Sequence, residues 1–396
     1  MRFRPGLVAD YREDAAIFRT GTQRVWIAVL LVVLVLLGVG AGIPILPGLF
    51  TLTLEGDMLL LAVTALVAAI GAIGLNIVTG FAGQVSLGHA FFLGIGAFTA
   101  ALLGGEEVVR SVSTGEIVRG YELDMIIWLP ASGLVAALAG LIVAPVAFRL
   151  KGLYLAFVTL GLVFVGGHLF REFKGITGGV GLGREAAVPS LLGFRFDEDG
   201  EVFGIFLSAE QKHFFLALVL LLVMGLAARN LARSRIGRAL SAIRDRDIAA
   251  EIMGISLTRY KTIAFVVSSF YAGIAGALLF SVIGRVEPTE FSDLPGLLLS
   301  VEYIAMVLIG GIATISGSIM GAVFIIFLPR MVEELAATGL LGFIGESAGS
   351  GLLDVSQLAR VLFGGFIVVF LIFEPLGLYG IWIRVRNYWK AFPFSY

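Results

Sequence analysis

Ten apolar runs constrain this chain more than any other feature. They fall near residues 26–47, 58–79, 88–104, 125–148, 153–170, 213–228, 262–283, 297–314, 315–329 and 361–382. An apolar stretch of about 20 residues spans the hydrocarbon layer as a helix, and in lipid only helices and closed barrels satisfy their own backbone. With 58% hydrophobic and 14% charged residues over 396 positions, the expected fold is an all-α polytopic membrane protein. The third and ninth runs are short, so a bundle of 8–10 transmembrane helices is expected, with short or broken segments near 80–104 and 315–329.

Composition removes several function classes. A net charge of −1 gives no basic face for nucleic acid. Without cysteine there is no thiolate site, and the three histidines, at 89, 168 and 213, are too dispersed for metal-ligand spacing. No metal and no cofactor is therefore expected. None of the five lysines sits in a phosphate-binding Gly-x-x-x-x-Gly-Lys loop, so the chain is not expected to hydrolyse ATP. No nucleophile, base and orienting partner assemble from the embedded polar residues, which argues against an enzyme.

Residues 1–25 carry five arginines and no long apolar run, and read as a cytoplasmic tail ahead of a retained first helix. With the N-terminus inside and ten spans, 18 of the 28 basic residues fall on the cytoplasmic side, which satisfies the positive-inside rule. Both termini are then cytoplasmic. Residues 105–124 and 171–212 become the long outer loops, the second with a hairpin turn expected near Asp199-Gly200.

Two polar segments interrupt this pattern. The first, GLNIVTGFAGQVSLGHAFFLGIGAFTAALL (74–103), sets Asn76, Gln84, Ser86 and His89 among Gly80, Gly83 and Gly88 inside apolar sequence. Polar backbone at membrane depth is tolerated where it is buried in protein or lines a wet cavity, so these four residues are the candidate substrate pathway. The competing reading is hydrogen bonding between helices with no contact to cargo. The second, residues 229–261, is long for a connection and reads as a slim amphipathic helix, with Leu240, Ile243, Ile248, Ile252 and Met253 as its apolar contacts. Gly254 is its expected stop. Such a helix suits a soluble motor subunit as a handle, and Arg238, Arg244, Asp247, Ala249, Ala250, Glu251 and Gly254 are its candidate coupling residues. The plain alternative is a basic loop that only anchors topology.

Glu302 is an acid inside the eighth run, read as lying near the outer interface. Gly317–Gly321 and Ala272–Gly276 are small-xxx-small pairs that predict helix-packing surfaces, and His168 and His213 read as interfacial.

Four blocks resemble the permease subunits of branched-chain amino acid ABC importers, of the M type among two paralogous permeases. They are residues 74–103, FRLKGLYLAFVTL (148–160), the segment 234–279 from SRIGRALSAIRDRD to GIAGALL, and SVEYIAMVLIGGIATISGSIMGA (300–322), within a resemblance covering roughly 57–382. The third block is similar to the family's coupling loop, Glu-Ala-Ala, three residues, Gly. Ala249, Ala250 and Gly254 fit, while Ile248 stands where the acid would be. The chain also departs from the family at GITGGVGLG, GGIATISGS and FEPLGLYG, and related subfamilies carry urea or short amides. The resemblance implies a permease domain over 26–390 with the coupling segment 229–261 inside it. It implies inward transport of branched-chain or related amino acids across the inner membrane. The partners implied are ABC ATPase subunits, a paralogous permease as heterodimer partner and an extracytoplasmic solute-binding protein. A secondary transporter or channel is the alternative from another class; it would need no coupling helix and should show inverted repeats, of which the sequence has none convincing.

Overall fold

The structure, a computed structural model, describes residues 21–40, 43–46, 50–52, 56–105, 109–110, 117–118, 120–150, 152–181, 183–202, 204–337, 344–345, 353–374 and 376–391. The helices are α1 (Gly21–Gly38), α2 (Asp57–Asn76, continued by a π-turn over Ile77–Phe81), α3 (His89–Gly104), α4 (Met125–Arg149), α5 (Leu153–Glu172), α6 (Lys174–Thr177) and α7 (Ala209–Arg233). They continue with α8 (Arg235–Asp245), α9 (Asp247–Ile252), α10 (Leu257–Ile283), α11 (Asp293–Gly310), α12 (Ile315–Ala337), α13 (Val355–Phe373) and α14 (Gly377–Ala391). Among the described residues seven helices are long and apolar enough to cross a membrane: α2, α4, α5, α7, α10, α11 and α12. The chain is a multi-pass, all-α membrane protein.

Between helices in lipid there is no hydrophobic driving force, so close backbone approach decides which helices lie inside. Helix α10 packs along α4, α3 and α2, and α2 in turn packs on α12 and α7. Where α10 crosses α3, a side chain at Gly96 would run into the Gly273 backbone and one at Gly276 into the Leu93 backbone. The α11–α12 crossing is built the same way, with Gly317 and Gly321 against Gly310 and Met306. Both small-residue pairs are thus helix-packing surfaces, as the sequence predicts.

The bundle has two distinct ends. At the loop end, Phe98, Phe170, Phe280 and the fully buried Phe291 pack in tilted and edge-to-face pairs, with ring centroids 5.0–5.9 Å apart. Arg171 ties this plug to Asp293 and Ser292. The connection below α6 is pinned by the buried Arg184, whose guanidinium donates to the carbonyls of Ala101 and Ile176, each at 2.9 Å. Desolvation pulls that guanidinium down to about 10, which leaves it charged at neutral pH. Glu290, in the 3-10 turn Pro288–Phe291, is pushed up to about 7 by burial and by neighbouring Glu287. The opposite, basic end carries α8, α9 and the first turn of α10.

Five expectations are corrected. The first span ends at Gly38, after which Ile43–Leu46 pairs with Phe50–Leu52; residues 1–20, most of the expected tail, lie outside the described residues. The ninth segment is not short: α12 continues through Pro329 to Ala337, as membrane helices tolerate proline, and the break lies ahead of it at Gly311–Thr314. The tenth divides into α13, which ends at Phe373, and α14, which begins at Gly377; the proline at 375 in the sequence disfavours helix in the residue before it. The hairpin turn falls at Leu192-Gly193, both with positive φ, between paired strands Ser190–Leu191 and Phe194–Arg195, and a second hairpin begins at Gly200. Glu302 is the tenth residue of the 18-residue α11 and half-buried, about 14 Å along the axis, so it sits at mid-helix rather than at the interface. His168 is exposed on α5, and His213 stays in the first turns of α7 with its Nδ1 2.8 Å from the Ala209 carbonyl oxygen.

Candidate functional site

Helix α2 ends in a single π-turn, with the Ala82 N–H donating to the Ile77 carbonyl, and π-turns gather at functional sites. The chain then runs without regular structure from Ala82 to Gly88 before α3 begins at His89. This break is what the polar sequence 76–89 builds, and all four candidate pathway residues are buried in it: Asn76, Gln84, Ser86 and His89 are each no more than 5% exposed.

Asn76 uses its amide inside the protein. Its Nδ2 donates to the Thr314 carbonyl at 2.9 Å and to Ser318 Oγ at 2.7 Å, and its Oδ1 accepts from the Ala313 N–H at 2.8 Å. It therefore clasps the end of α2 to the Gly311–Thr314 break between α11 and α12, so the two interruptions form one unit. Gly80 makes room for the clasp, since a Cβ there would lie on Asn76 Oδ1 and 2.5 Å from the Ala313 nitrogen. Ala313 itself holds a left-handed backbone at φ 59°, a strained conformation outside glycine that the clasp over-determines.

The irregular stretch is pinned on its other side. The Leu87 N–H donates to Thr159 Oγ1 at 2.9 Å and the Ala90 N–H to Ser300 Oγ at 3.0 Å, which ties the start of α3 to α5 and α11. The Ser300 hydroxyl satisfies an orphan donor in the first turn of α3. The His89 ring lies against the Tyr303 ring with centroids 4.8 Å apart. Both His89 Nε2 and Tyr303 Oη are buried with no hydrogen-bond partner among the described residues. Thr314, Ser318, Thr159, Ser300 and Tyr303 were not legible as site residues, because single hydroxyls in apolar runs carry no periodic signal.

The basic segment sits directly beneath this break. Ser234 caps α8 by accepting from the Ile236 and Gly237 N–H groups, and Gly237, Ala239, Leu240 and Ile243 turn inward to the bundle. Arg246 adopts an extended backbone that ends α8, so the expected single helix is two, α8 and α9, and Gly254 with φ 82° stops the second. The apolar set divides accordingly. Leu240 and Ile243 are buried, while Ile248, Ile252 and Met253 on and after α9 are 67–82% exposed. Ala250 is buried, whereas Ala249, Glu251 and Arg238 are exposed.

A hydrogen bond joins the two segments. Arg244 donates from Nη1 to the Gly80 carbonyl at 3.1 Å, a carbonyl inside the π-turn. Gly83, at φ 69°, lets the loop pass over the same side chain, because a Cβ there would fall 2.9 Å from Arg244 Cγ. Arg244 of the candidate coupling set is thus joined to the end of α2 by a charge-assisted bond. Beside this contact lies a cleft of about 230 Å³, walled by Ala82–Gln84, the start of α5, the α8–α9 junction and Lys261 of α10.

The family described as branched-chain amino acid transport system, permease component, matches residues 57–371. The high-affinity branched-chain amino acid transport system permease protein LivM of Salmonella typhimurium is 30% identical over 330 residues, covering 80% of this chain and 69% of the relative. The Escherichia coli LivM is 29% identical over the same shares. The E. coli permease LivH is 24% identical over 319 residues, 79% of this chain and 91% of the relative. No solved structure matches the chain. With the match running from the first residue of α2 to near the end of α13, and so across both helix breaks and the segment beneath them, the chain belongs to the branched-chain amino acid transport permease family.

Proposed function

We propose that this chain is the membrane-spanning subunit of an ATP-driven importer that moves branched-chain or related amino acids inward across the cytoplasmic membrane. The observation that carries the reading is the contact between Arg244 and the Gly80 carbonyl, which links the helix preceding the exposed docking residues to a broken membrane helix. The exposed apolar residues Ile248, Ile252 and Met253 offer a separate ATPase subunit a surface for helix-in-groove docking. In this reading the basic end and both termini face the cytoplasm. The plugged loop end receives a solute-binding protein, and a paralogous permease completes the pathway as heterodimer partner. Helix α8 transmits closure of the ATPase pair to the end of α2, where Gln84, Ser86 and His89 stand at the passage and Asn76 holds its frame.

The test is gentle extraction of the tagged chain from its native membrane, followed by identification of the co-purified subunits and uptake after reconstitution. Recovery of a paralogous permease with ATPase subunits, and uptake that needs ATP, is the expected result. A chain that emerges alone and transports without ATP would establish a secondary transporter instead. Within the docking segment, Ala249→Leu should leave the permease folded and weaken coupling, because Ala249 faces outward. Ala250→Leu should disturb packing as well, because Ala250 is 4% exposed. Wild-type uptake per ATP in a well-expressed Ala249→Leu variant would remove α9 from the docking surface.

A further inference from the structure

Helix α14 takes no part in the sites described above. It is built against the bundle at its start, where Leu378 packs on the core and a Cβ at Gly377 would run into the Ile309 carbonyl. The membrane-crossing α11 ends at Gly310, and Tyr379 lies within electrostatic reach of Arg229 near the end of α7, so α14 sets out from the membrane boundary at the basic end. Its 15 residues reach about 22 Å, short of the roughly 30 Å hydrocarbon layer, so it does not cross. Beyond its first turn the helix is two-faced. Ile381, Trp382, Val385 and Tyr388, at spacing i, i+1, i+4 and i+7, share one arc and are 43–63% exposed. Arg384, Arg386 and Asn387 lie off that arc, and the sequence GLYGIWIRVRNYWKA carries these two arginines and Lys390 with no acid. Arg384 is engaged by Glu374, but the Nε of Arg386 is buried without a hydrogen-bond partner among the described residues, and the helix keeps a positive balance.

We infer that α14 is an interfacial helix that lies in the headgroup layer of the leaflet at the basic end and recognises anionic phospholipid. Tryptophan and tyrosine settle where acyl chains meet water, and arginine stems carry their charge outward to lipid phosphate. The arc of Ile381, Trp382, Val385 and Tyr388 therefore faces the acyl-chain boundary, and Arg386 meets phosphate by a charge-assisted hydrogen bond. The exposed residues of α9 at the same end, Ile248, Ile252 and Met253, have neither the aromatic rings nor the unbroken positive charge that mark α14. Because its start is wedged against Ile309–Gly311, an α14 held in the headgroup layer also fixes the depth of the α11–α12 break. An interfacial α14 needs only a membrane-crossing bundle and stands apart from the importer reading.

The chain has no cysteine, so a single introduced one reports its own surroundings. Val385→Cys and Asn387→Cys, each in the full-length chain, are spin-labelled and placed in vesicles of phosphatidylcholine and phosphatidylglycerol, alone and after assembly with the co-extracted subunits. Collision with oxygen, which concentrates in lipid, is compared with collision with a water-soluble nickel chelate. The label at 385 should meet oxygen and not nickel, and the label at 387 the reverse, in both preparations. A fluorophore at 385 should be quenched by brominated phosphatidylglycerol in preference to brominated phosphatidylcholine. Arg386→Gln should cut that preference about fivefold, added salt should lower it, and Arg386→Lys should keep most of it. Nickel reaching both labels puts α14 in water and overturns the assignment. A label at 385 that assembly shields from oxygen and nickel alike gives the face to a protein partner and overturns it too. Equal quenching by the two lipids, or a preference that Arg386→Gln leaves unchanged, overturns the recognition of anionic lipid.

Discussion

Helices α2 and α7 are both 25-residue apolar segments when the π-turn is counted with α2, yet 78% of the α2 window is buried against 28% of the α7 window. Hydropathy does not separate them, because a lipid tail and a protein interior are equally apolar solvents. Side-chain size does. Helix α2 reads AVTALVAAIGAIG through its middle, and at Gly71 and Gly74 a Cβ would run into the side chains of Tyr303 and Tyr271. Helix α7 reads FFLALVLLLVMG, with Val219, Leu222 and Val223 40–58% exposed. Inside this bundle, position is specified by what is too large to fit.

The sharpest way to break that comparison is a large residue at a backbone crossing. Gly276→Leu should cost more than the about 1–3 kcal/mol typical of an overfilled core, since the obstacle is the Leu93 backbone and not a flexible side chain. The variant should be lost from the monodisperse fraction after detergent extraction; a normal yield and melting profile would show that α3 and α10 do not cross there. Next in size is the clasp. Asn76→Ala removes the acceptor of the part-buried Ala313 N–H, at about 1–3 kcal/mol for a donor left unsatisfied, while the Thr314 carbonyl keeps its bonds from Ser318. Thermal unfolding in detergent should move down by several degrees, and an unchanged midpoint would return Asn76 to a lining role with no structural load.

Smaller again is the plug at the loop end. The raised Glu290 carboxyl means that the folded state holds its proton more tightly than the unfolded chain, so its contribution is complete below the ordinary carboxylate range and is lost as pH rises through about 7. Stability should fall across that window, and Glu290→Gln should flatten the decline; an identical pH profile in both proteins would place Glu290 in water. The smallest effect belongs to α7, where Leu222→Ala should change the melting point by less than the scatter of surface substitutions, within about 0.5 kcal/mol. A large loss there would mean that this face of α7 is covered by another subunit.

Much of this was legible in the residues. Long apolar runs gave the helices, glycine pairs gave the crossings, and the polar island 76–89 gave the break. The segment 229–261 gave a helix that stops at Gly254. What stayed hidden depends on tertiary context. Nothing local tells that Asn76 bonds across 238 residues to Thr314, or that Arg246 leaves helical geometry between two helical stretches. The apolar residues of the basic segment looked alike, and only the bundle separates Leu240 and Ile243, which it buries, from Ile252 and Met253, which it leaves exposed. Pro329 and Pro375 make the same point from opposite directions: a helix continues through the first and divides around the second.

The central claim is that Arg244 transmits motion from the docking segment to the break in α2. The direct measurement is leucine imported per ATP hydrolysed by the reconstituted complex carrying Arg244→Ala, set against the wild-type complex. The account predicts normal assembly and hydrolysis with import per ATP reduced several-fold, since a charge-assisted bond to the Gly80 carbonyl is lost. An unchanged ratio in a fully assembled complex would contradict it and send the search for the coupling contact elsewhere on the basic end.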